Sequence, residues 1–332
     1  MICEHLAHVC ATHPPCDSTA ARCTAHGPEP KAAVVTTGTP IDPRVLHLER
    51  LRARIAAGEP MTGELASAFA LAATALDPTA TEDTLGVLGG NGGVELYRSL
   101  VAWAALTPRE RVLDIGCGAG GATRQAARTV GPAGSVIGID ACTEAIDAAH
   151  ERTPDDLEII YRVQRAEHLH GIPDRSVDCI MASLVLEQIA DLPQVLGEMY
   201  RVLRPGGRVV ASVMDFDQFR PVDAAFFGAV LAVVAWYARG ALSGRSARAT
   251  MPRDPEDRAA FRHTGFATVE ERDAQLIAVL ETEDEAWSLF SRSLIGPLLD
   301  PLGRLDLRGV LAAHVPHTLY LPIRFLRTRR PG

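Results

Sequence analysis

Apolar and polar residues in the middle of the chain follow two alternating periods. Short apolar runs of strand length lie near residues 111–116, 135–140, 158–164, 177–184 and 208–215. Between them, apolar residues recur at helical spacing near 120–130, 143–151 and 191–203. Strands that alternate with helices in this way predict an α/β fold with a doubly wound, mostly parallel sheet.

The regions on either side of this core are also patterned. Helical periodicity runs from Pro43 to about Ala75 and from Val94 to Leu106, and the Gly-rich stretch Leu85 to Gly93 between them predicts a loop. Beyond the core we expect a long strand over 267–280, mostly helical structure over 289–313 and a last strand over 320–326.

An insertion from Asp217 to His263 separates the core from these last elements. Its first half is very apolar, whereas residues 239–253 are rich in Arg, Ser and Gly and predict a loop. The most apolar stretch, 224–238, has about 15 residues, fewer than the ~20 needed to span a bilayer. We therefore expect no membrane span.

Residues 1–40 differ from the rest in composition. They are rich in Pro, Thr and Ala and have little apolar periodicity, so we expect a tail without stable structure. They also hold Cys3, Cys10, Cys16 and Cys23 together with several histidines, which keeps a zinc site open as an alternative. No paired C-x-x-C spacing supports such a site, and a wrongly assigned start is a second explanation for this segment.

Composition narrows the function classes. The chain of 332 residues has a net charge of −8 and 47% hydrophobic residues, enough for a sizeable core. No basic stripe is present, so a nucleic-acid partner is not expected. The first residues lack the basic start and continuous apolar run of a secretory signal, which predicts a cytoplasmic protein.

The segment most informative about chemistry is R-V-L-D-I-G-C-G-A-G-G, Arg111 to Gly121. Glycines between a strand and a helix allow a sharp turn and let a ligand lie against bare main chain. The spacing of Gly116, Gly118 and Gly121 also fits G-x-G-x-x-G, a weak dinucleotide signal. Asp114 argues against that interpretation, because its carboxylate would repel a pyrophosphate but would suit an ammonium group.

Two further segments accompany this loop. The second strand ends in Asp140, which is placed to accept hydrogen bonds from ribose hydroxyls in either class of enzyme. The segment R-V-L-R-P-G-G, Arg201 to Gly207, then leads into the fifth predicted strand. Together these segments argue against a nicotinamide-dependent oxidoreductase.

At this point the chain resembles the class I S-adenosylmethionine-dependent methyltransferases of the ubiquinone/menaquinone-biosynthesis-like type. The matching pieces are V-L-D-I-G-C-G-A-G, V-I-G-I-D, A-E-H-L, S-V-D-C-I-M-A-S-L-V-L-E-Q-I and E-M-Y-R-V-L-R-P-G-G, in the family's order. The resemblance implies a seven-stranded sheet with an antiparallel last strand. It also implies a helical cap over 41–106 and a methyltransferase domain over 107–332, with a lid or acceptor-site insertion over 217–262.

The resemblance also implies roles for individual positions, with S-adenosylmethionine as cofactor. The aminoacyl end would be held by Asp114 and the loop Gly116, Cys117, Gly118 and Gly120. Asp140 would bind the ribose, and the methionine part would face the main chain near Ser183. The adenine would lie along Ala141, Cys142, Ala166 and Glu167. The Cys117 side chain is expected to pack rather than react.

Two departures from the family pattern affect the mechanism. Arg165 stands where an acid often contacts the adenine amine, and Gln188 stands where a histidine is common. A general base is needed only for a hydroxyl or carbon-acid acceptor. The candidates near the expected site are His168, His170, Glu187, Asp215 and His263, and none is assigned.

The apolar part of the insertion is the main indication of the acceptor. We expect this helix to form one wall of the acceptor pocket, with aromatic residues such as Phe226, Phe227 and Trp236. Such a wall favours a small, apolar or aromatic metabolite of natural-product biosynthesis as the acceptor. A homodimer face and ordinary core packing stay open for the same helix. The alternative functions are a quinone-type C-methyltransferase and a relative that binds the cofactor without transferring methyl.

Overall fold

The computed structural model describes residues 42–57, 59, 63–87, 92–215, 218–237, 255–293, 295–299 and 301–332. The expected tail over 1–40, its zinc alternative and the predicted loop over 239–253 lie outside the described residues, as does the side chain of Trp236.

Seven strands form one sheet in the order β3-β2-β1-β4-β5-β7-β6. Strands β1 to β5 are parallel, and β7 runs antiparallel to both β5 and β6. The strands are β1 Arg111–Ile115, β2 Ser135–Asp140, β3 Ile160–Val163, β4 Val177–Ser183, β5 Leu203–Met214, β6 Glu270–Leu280 and β7 His317–Arg329. The predicted fold class, with its antiparallel last strand, is confirmed.

Helices connect and cover the strands. The described helices are α1 Pro43–Ala56, α2 Gly63–Leu76, α3 Ala80–Val87, α4 Gly92–Ala104, α5 Gly121–Val130, α6 Thr143–Arg152, α7 Leu192–Val202, α8 Pro221–Tyr237, α9 Pro255–His263, α10 Glu283–Ser291, α11 Ile295–Leu298 and α12 Pro301–His314. Among the described residues, no helix combines the length and apolar character that a membrane crossing requires.

Two boundaries differ from the sequence-based expectation. The predicted loop over 85–93 begins too early, because α3 continues to Val87. Strand β5 begins at Leu203 rather than near 208, because its first residues pair with the backbone of β4 on one side and of the segment after β7 on the other. Leu203 is in register with Val177 of β4, and the Gly206 N–H donates to the Arg330 carbonyl beyond β7.

The central strands β1, β4 and β5 are buried on both faces over most of their length, which explains why they are nearly continuous apolar runs in the sequence. Successive side chains of a strand point to opposite faces, and Val112 and Leu113 of β1 accordingly enter two different core clusters. One cluster includes Leu100 of α4, and the other includes Val195 of α7. Both helical layers therefore hold the strand ends in place around the candidate site.

Candidate cofactor and acceptor site

The strand order reverses at β1, which has β2 on one side and β4 on the other. In open parallel sheets of this kind, ligands bind in the crevice outside the carboxyl ends of the strands at this switch point. Two segments border the crevice here. The glycine loop over 116–120 follows β1, and residues 184–188 follow β4.

Two positions of the glycine loop require glycine, both for their backbone conformation and because a side chain would have no room there. Gly116 has φ +64 and Gly120 has φ +84, in the left-handed region that favours glycine. A Cβ atom on Gly116 would lie 2.3 Å from Val185 Cγ2, and one on Gly120 would lie 2.5 Å from Tyr161 Oη. A Cβ on Gly118 would meet nothing within 4 Å, so the loop offers bare main chain on that side.

Asp114 lies beneath this loop at the end of β1, with only 1% of its surface exposed. Its Oδ2 accepts a hydrogen bond of 2.6 Å from Thr123 Oγ1. Its Oδ1 is buried and has no hydrogen-bond partner among the described residues. Burial, together with the nearby Asp140 carboxylate, raises the pKa of Asp114 to about 7, although the hydrogen bond from Thr123 lowers it. The site therefore contains a buried carboxyl oxygen that no donor among the described residues reaches.

Asp140 ends β2 on the other side of the loop. Its Oδ2 accepts from the Gly118 N–H and its Oδ1 from the Cys142 N–H, each at 2.9 Å. A carboxylate has about four lone-pair positions, so both oxygens retain the capacity to accept from a diol. Burial raises the pKa of Asp140, while its backbone hydrogen bonds lower it.

The other predicted cofactor positions have mixed environments. Ala141 is exposed, Cys142 is buried and Ala166 is half-buried. Arg165, which departs from the family pattern, donates a 2.7 Å hydrogen bond to Glu167, so these two charges neutralise each other. Cys117 is buried, and burial raises the pKa of its thiol well above the ordinary range. A buried neutral thiol packs rather than reacts, in agreement with the expectation for this residue.

The segment after β4 closes the crevice. Leu184 has φ +54, a conformation that costs a non-glycine residue roughly 1–3 kcal/mol and that clusters at functional sites. Its N–H donates to the Ser212 carbonyl of β5, and the Ser183 hydroxyl lies 3.1 Å from that of Ser212. These contacts hold Val185 against Gly116, so the two loops on either side of the switch point form one unit.

The candidate bases differ in their surroundings. Asp215 forms a 2.7 Å ion pair with Arg324, which makes it an anchored residue and argues against its role as a base. His168 and His170 are exposed and stack on each other, and His263 is exposed at the end of α9. Glu187 is half-buried as a residue, but its Oε2 atom is buried and has no hydrogen-bond partner among the described residues. Burial raises its pKa to about 7.

The cap helices contact the end of the glycine loop and the start of α5. The sequence left the role of Tyr97 undecided between packing on the sheet and a place at the cofactor site. The Tyr97 ring of α4 lies on Gly121, where a Cβ would be 2.2 Å from Tyr97 Cε2. Arg124 donates to the Ala119 carbonyl of the loop at 2.5 Å and pairs with Glu82 of α3. Helical periodicity marks Tyr97 as inward-facing, but no local signal shows that it meets the loop.

The apolar helix α8 begins near the carboxyl end of β5. Phe226, which was predicted to line a pocket, is 2% exposed and packs on the Phe290 and His317 rings. It belongs to the core, and the prediction is wrong for this side chain. Phe219 and Phe227 stack at 5.3 Å between ring centroids and are both half-buried, so they are the described aromatic residues that remain candidates for an acceptor wall.

Comparison with known proteins supports the same interpretation of the core. Residues 113–211 match the methyltransferase domain family. An arsenite methyltransferase of Halobacterium salinarum is 41% identical over 113 residues, 33% of this chain and 29% of that protein. A demethylmenaquinone methyltransferase of Symbiobacterium thermophilum is 32% identical over 117 residues, 34% of this chain and 46% of that protein. The similarity thus spans less than half the length of these relatives.

A solved structure extends the likeness of the fold beyond this segment. The phosphoethanolamine N-methyltransferase 2 of Haemonchus contortus, in complex with phosphomonomethylethanolamine and S-adenosylhomocysteine, has a TM-score of 0.52 and 19% identity. The likeness covers 78% of this chain and 58% of that one. The segment over 113–211 is thus similar in sequence to methyltransferase domains, and the structural likeness shows the same fold over a wider part of the chain.

Proposed function

We propose that this protein uses S-adenosylmethionine to methylate a small, apolar or aromatic metabolite in specialised biosynthesis. The observation that carries the cofactor assignment is the buried Asp114, whose Oδ1 lacks a partner beside a bare glycine loop. The ammonium group of the cofactor's methionine part provides the missing donor and the missing positive charge. Asp140, across the loop, is positioned to accept from the ribose hydroxyls.

The protein's contribution to the reaction is mainly alignment. When bound, the cofactor supplies an electrophilic methyl group on a sulfonium. Asp114, the glycine loop and Asp140 fix its two ends, and the segment around Val185 covers the crevice between them. Alignment of this kind can lower a barrier by ~7–11 kcal/mol.

The proposal for the acceptor rests on α8. After Asp223 this helix has no charged residue as far as Tyr237. Its start is anchored, because Asp223 is buried and binds His317 at 2.9 Å as well as Arg220. The half-buried pair Phe219 and Phe227 then lies at the start of α8, just after β5, where a flat apolar acceptor would pack. Under this proposal residues 217–262 form the acceptor side of the site.

Labelled methyl transfer tests this function. The full-length protein is incubated with S-adenosylmethionine carrying a deuterated methyl group and a panel of phenols, terpenoids and a naphthoquinol, and products are identified by intact mass. We expect label on an aromatic or terpenoid acceptor. Label on the naphthoquinol alone would assign quinone C-methylation. Binding of S-adenosylhomocysteine without any labelled product would indicate a different reaction, and binding of NAD alone would overturn the proposal.

Replacement of Asp140 by alanine tests the ribose contact. The loss of a charge-assisted hydrogen bond costs about 1.5–3 kcal/mol, so the Kd should rise by about ten-fold or more. Calorimetry measures this for S-adenosylhomocysteine and for methylthioadenosine, which both carry the ribose diol. Asp147→Ala, an exposed change on α6, is the control. Unchanged affinities in a folded Asp140→Ala variant would contradict the assignment.

A further inference from the structure

Glu187 lies on the single helical turn Leu186–Gln188 that follows β4. Val185, two residues earlier, packs against Gly116 across the switch point. The Glu187 Oε1 lies 3.4 Å from the Met214 N–H at the end of β5. The carboxyl group is therefore placed at the carboxyl ends of β4 and β5, on the side of the crevice away from Asp140.

This carboxyl group is incompletely paired. Its Oε2 is buried and has no hydrogen-bond partner among the described residues. Burial raises the pKa of Glu187, and the N–H groups of Glu187 itself and Met214 lower it. A buried acceptor without a donor is costly for the fold, which indicates that the missing donor comes from a bound molecule.

Within the part of the chain that the structure describes, the elements packed against this turn supply no countercharge. On β5, Arg204 pairs with Asp178 and Arg208 pairs with Glu110, both toward the amino end of the strand. On α2 the titratable residue is Glu64, which is exposed. Asp215, just beyond β5, is held by Arg324.

We propose that Glu187 is the general base for a hydroxyl acceptor, which makes the reaction an O-methylation of a phenol or enol. This inference rests on the proposed methyl-transfer function. The oxygen of a hydroxyl group is both the hydrogen-bond donor for Oε2 and the nucleophile. The hydrogen bond to Glu187 therefore also positions the attacking atom. Neutral amine acceptors attack without prior loss of a proton and need no such base.

The step balances within the site. Glu187 Oε2 takes the hydroxyl proton while the acceptor oxygen forms a bond to the methyl carbon. The carbon–sulfur bond breaks, and its electron pair stays on the sulfur, which becomes neutral. The proton on Glu187 then passes to water after the products leave, so one proton is released for each methyl group transferred.

A purely structural role is the competing explanation, because Glu187 also contacts Met214. Glu187→Gln separates the two roles. Glutamine retains a carbonyl oxygen for the Met214 N–H and nearly the same volume, but it cannot accept a proton at neutral pH. Glu187→Asp retains the base on a shorter side chain. Glu151→Gln makes the same chemical change at an exposed position on α6 and serves as the control.

The test measures turnover of a phenolic acceptor by the full-length protein from pH 5.5 to 9, with S-adenosylhomocysteine affinity measured alongside. We expect Glu187→Gln to lower kcat by about a hundred-fold or more with the Kd changed less than two-fold, and Glu187→Asp to retain part of the activity. With S-adenosylmethionine saturating, so that the titration of Asp114 in the free protein does not contribute, the wild-type kcat/KM for the acceptor should rise with pH up to about 7, where Glu187 becomes ionised. This limb should be absent in Glu187→Gln.

Two results would overturn the base assignment while leaving the proposed function intact. One is wild-type turnover and an unchanged pH profile in Glu187→Gln. The other is methylation of only amine or carbon acceptors by the wild type. A wild type that binds S-adenosylhomocysteine but methylates nothing would overturn the proposed function, and the base assignment with it.

Discussion

Gly116→Ala is expected to destabilise the protein by roughly 2–5 kcal/mol and to abolish tight cofactor binding. A Cβ at this position would lie 2.3 Å from Val185 Cγ2, and the residue has φ +64. Overpacking typically costs about 1–3 kcal/mol, and a left-handed conformation costs a non-glycine residue roughly 1–2 kcal/mol. Val185 cannot easily move away, because Leu184 before it is itself held in a left-handed conformation by Ser212.

Urea denaturation and calorimetry with S-adenosylhomocysteine measure the two effects. Gly197→Ala is the control, because Gly197 lies within α7 and a Cβ there would meet nothing within 4 Å. That change should be neutral or stabilising by up to ~1 kcal/mol. Val185→Ala should restore part of the stability lost in Gly116→Ala, which isolates the steric contact. Equal stability of the Gly116 and Gly197 variants would contradict the close packing of the two loops.

Asp114→Asn is expected to stabilise the protein at pH 8 while weakening cofactor binding. Burial raises the Asp114 pKa from 3.8 to about 7, so between these values the folded state holds a proton that the unfolded state has lost. Wild-type stability therefore falls as pH rises from about 4 to about 7, by an amount on the order of 4 kcal/mol, and then levels off. Asparagine has the same shape and avoids this cost.

The affinity of Asp114→Asn should change in the opposite direction. The Kd for S-adenosylhomocysteine should rise ten-fold or more, because a charged hydrogen bond contributes about 1.5–3 kcal/mol. Methylthioadenosine lacks the amino-acid part and should bind the variant and the wild type equally well. This pattern separates Asp114 from Asp140, whose replacement should weaken both ligands.

Thermal melts from pH 4 to 8 and calorimetry check these expectations, with the exposed Asp147→Asn as control. The variant and the wild type should have similar Tm values near pH 4 and should diverge toward pH 8. A constant difference in Tm across this range would mean that Asp114 is not protonated in the free protein. Equal weakening of methylthioadenosine binding would place Asp114 elsewhere than at the amino-acid end.

The order and type of the central elements could be predicted from the amino-acid sequence. Strands buried on both faces must be apolar along their whole length, and helices that cover them must be apolar on one face, so both leave a local periodic signal. The glycine loop was recognisable for a similar reason. The turn between β1 and α5 places Gly116 and Gly120 in left-handed conformations. Glycine is the preferred residue in that conformation, so the turn is visible in the local sequence.

Which of the polar side chains are left without an ion-pair partner depends on contacts between distant parts of the chain. Asp215 and Glu187 looked equivalent as candidates, yet Arg324, more than a hundred positions along the chain, pairs with Asp215 and leaves the Glu187 Oε2 unpartnered. Such a pairing depends on the antiparallel register of β5 and β7, which brings Val213 opposite Arg324. Local periodicity carries no information about that register.

The same limit applied to α8. A helix that is apolar nearly all round does not reveal which face it buries, and Phe226 and Phe227 are indistinguishable in such a pattern. Both rings contact Phe290, and Phe226 also packs against the His314 and His317 rings. Phe226 is 2% exposed, whereas Phe227 is half-buried. The periodic pattern shows that this segment forms a helix, whereas the face that is buried depends on which other elements pack against it in the fold.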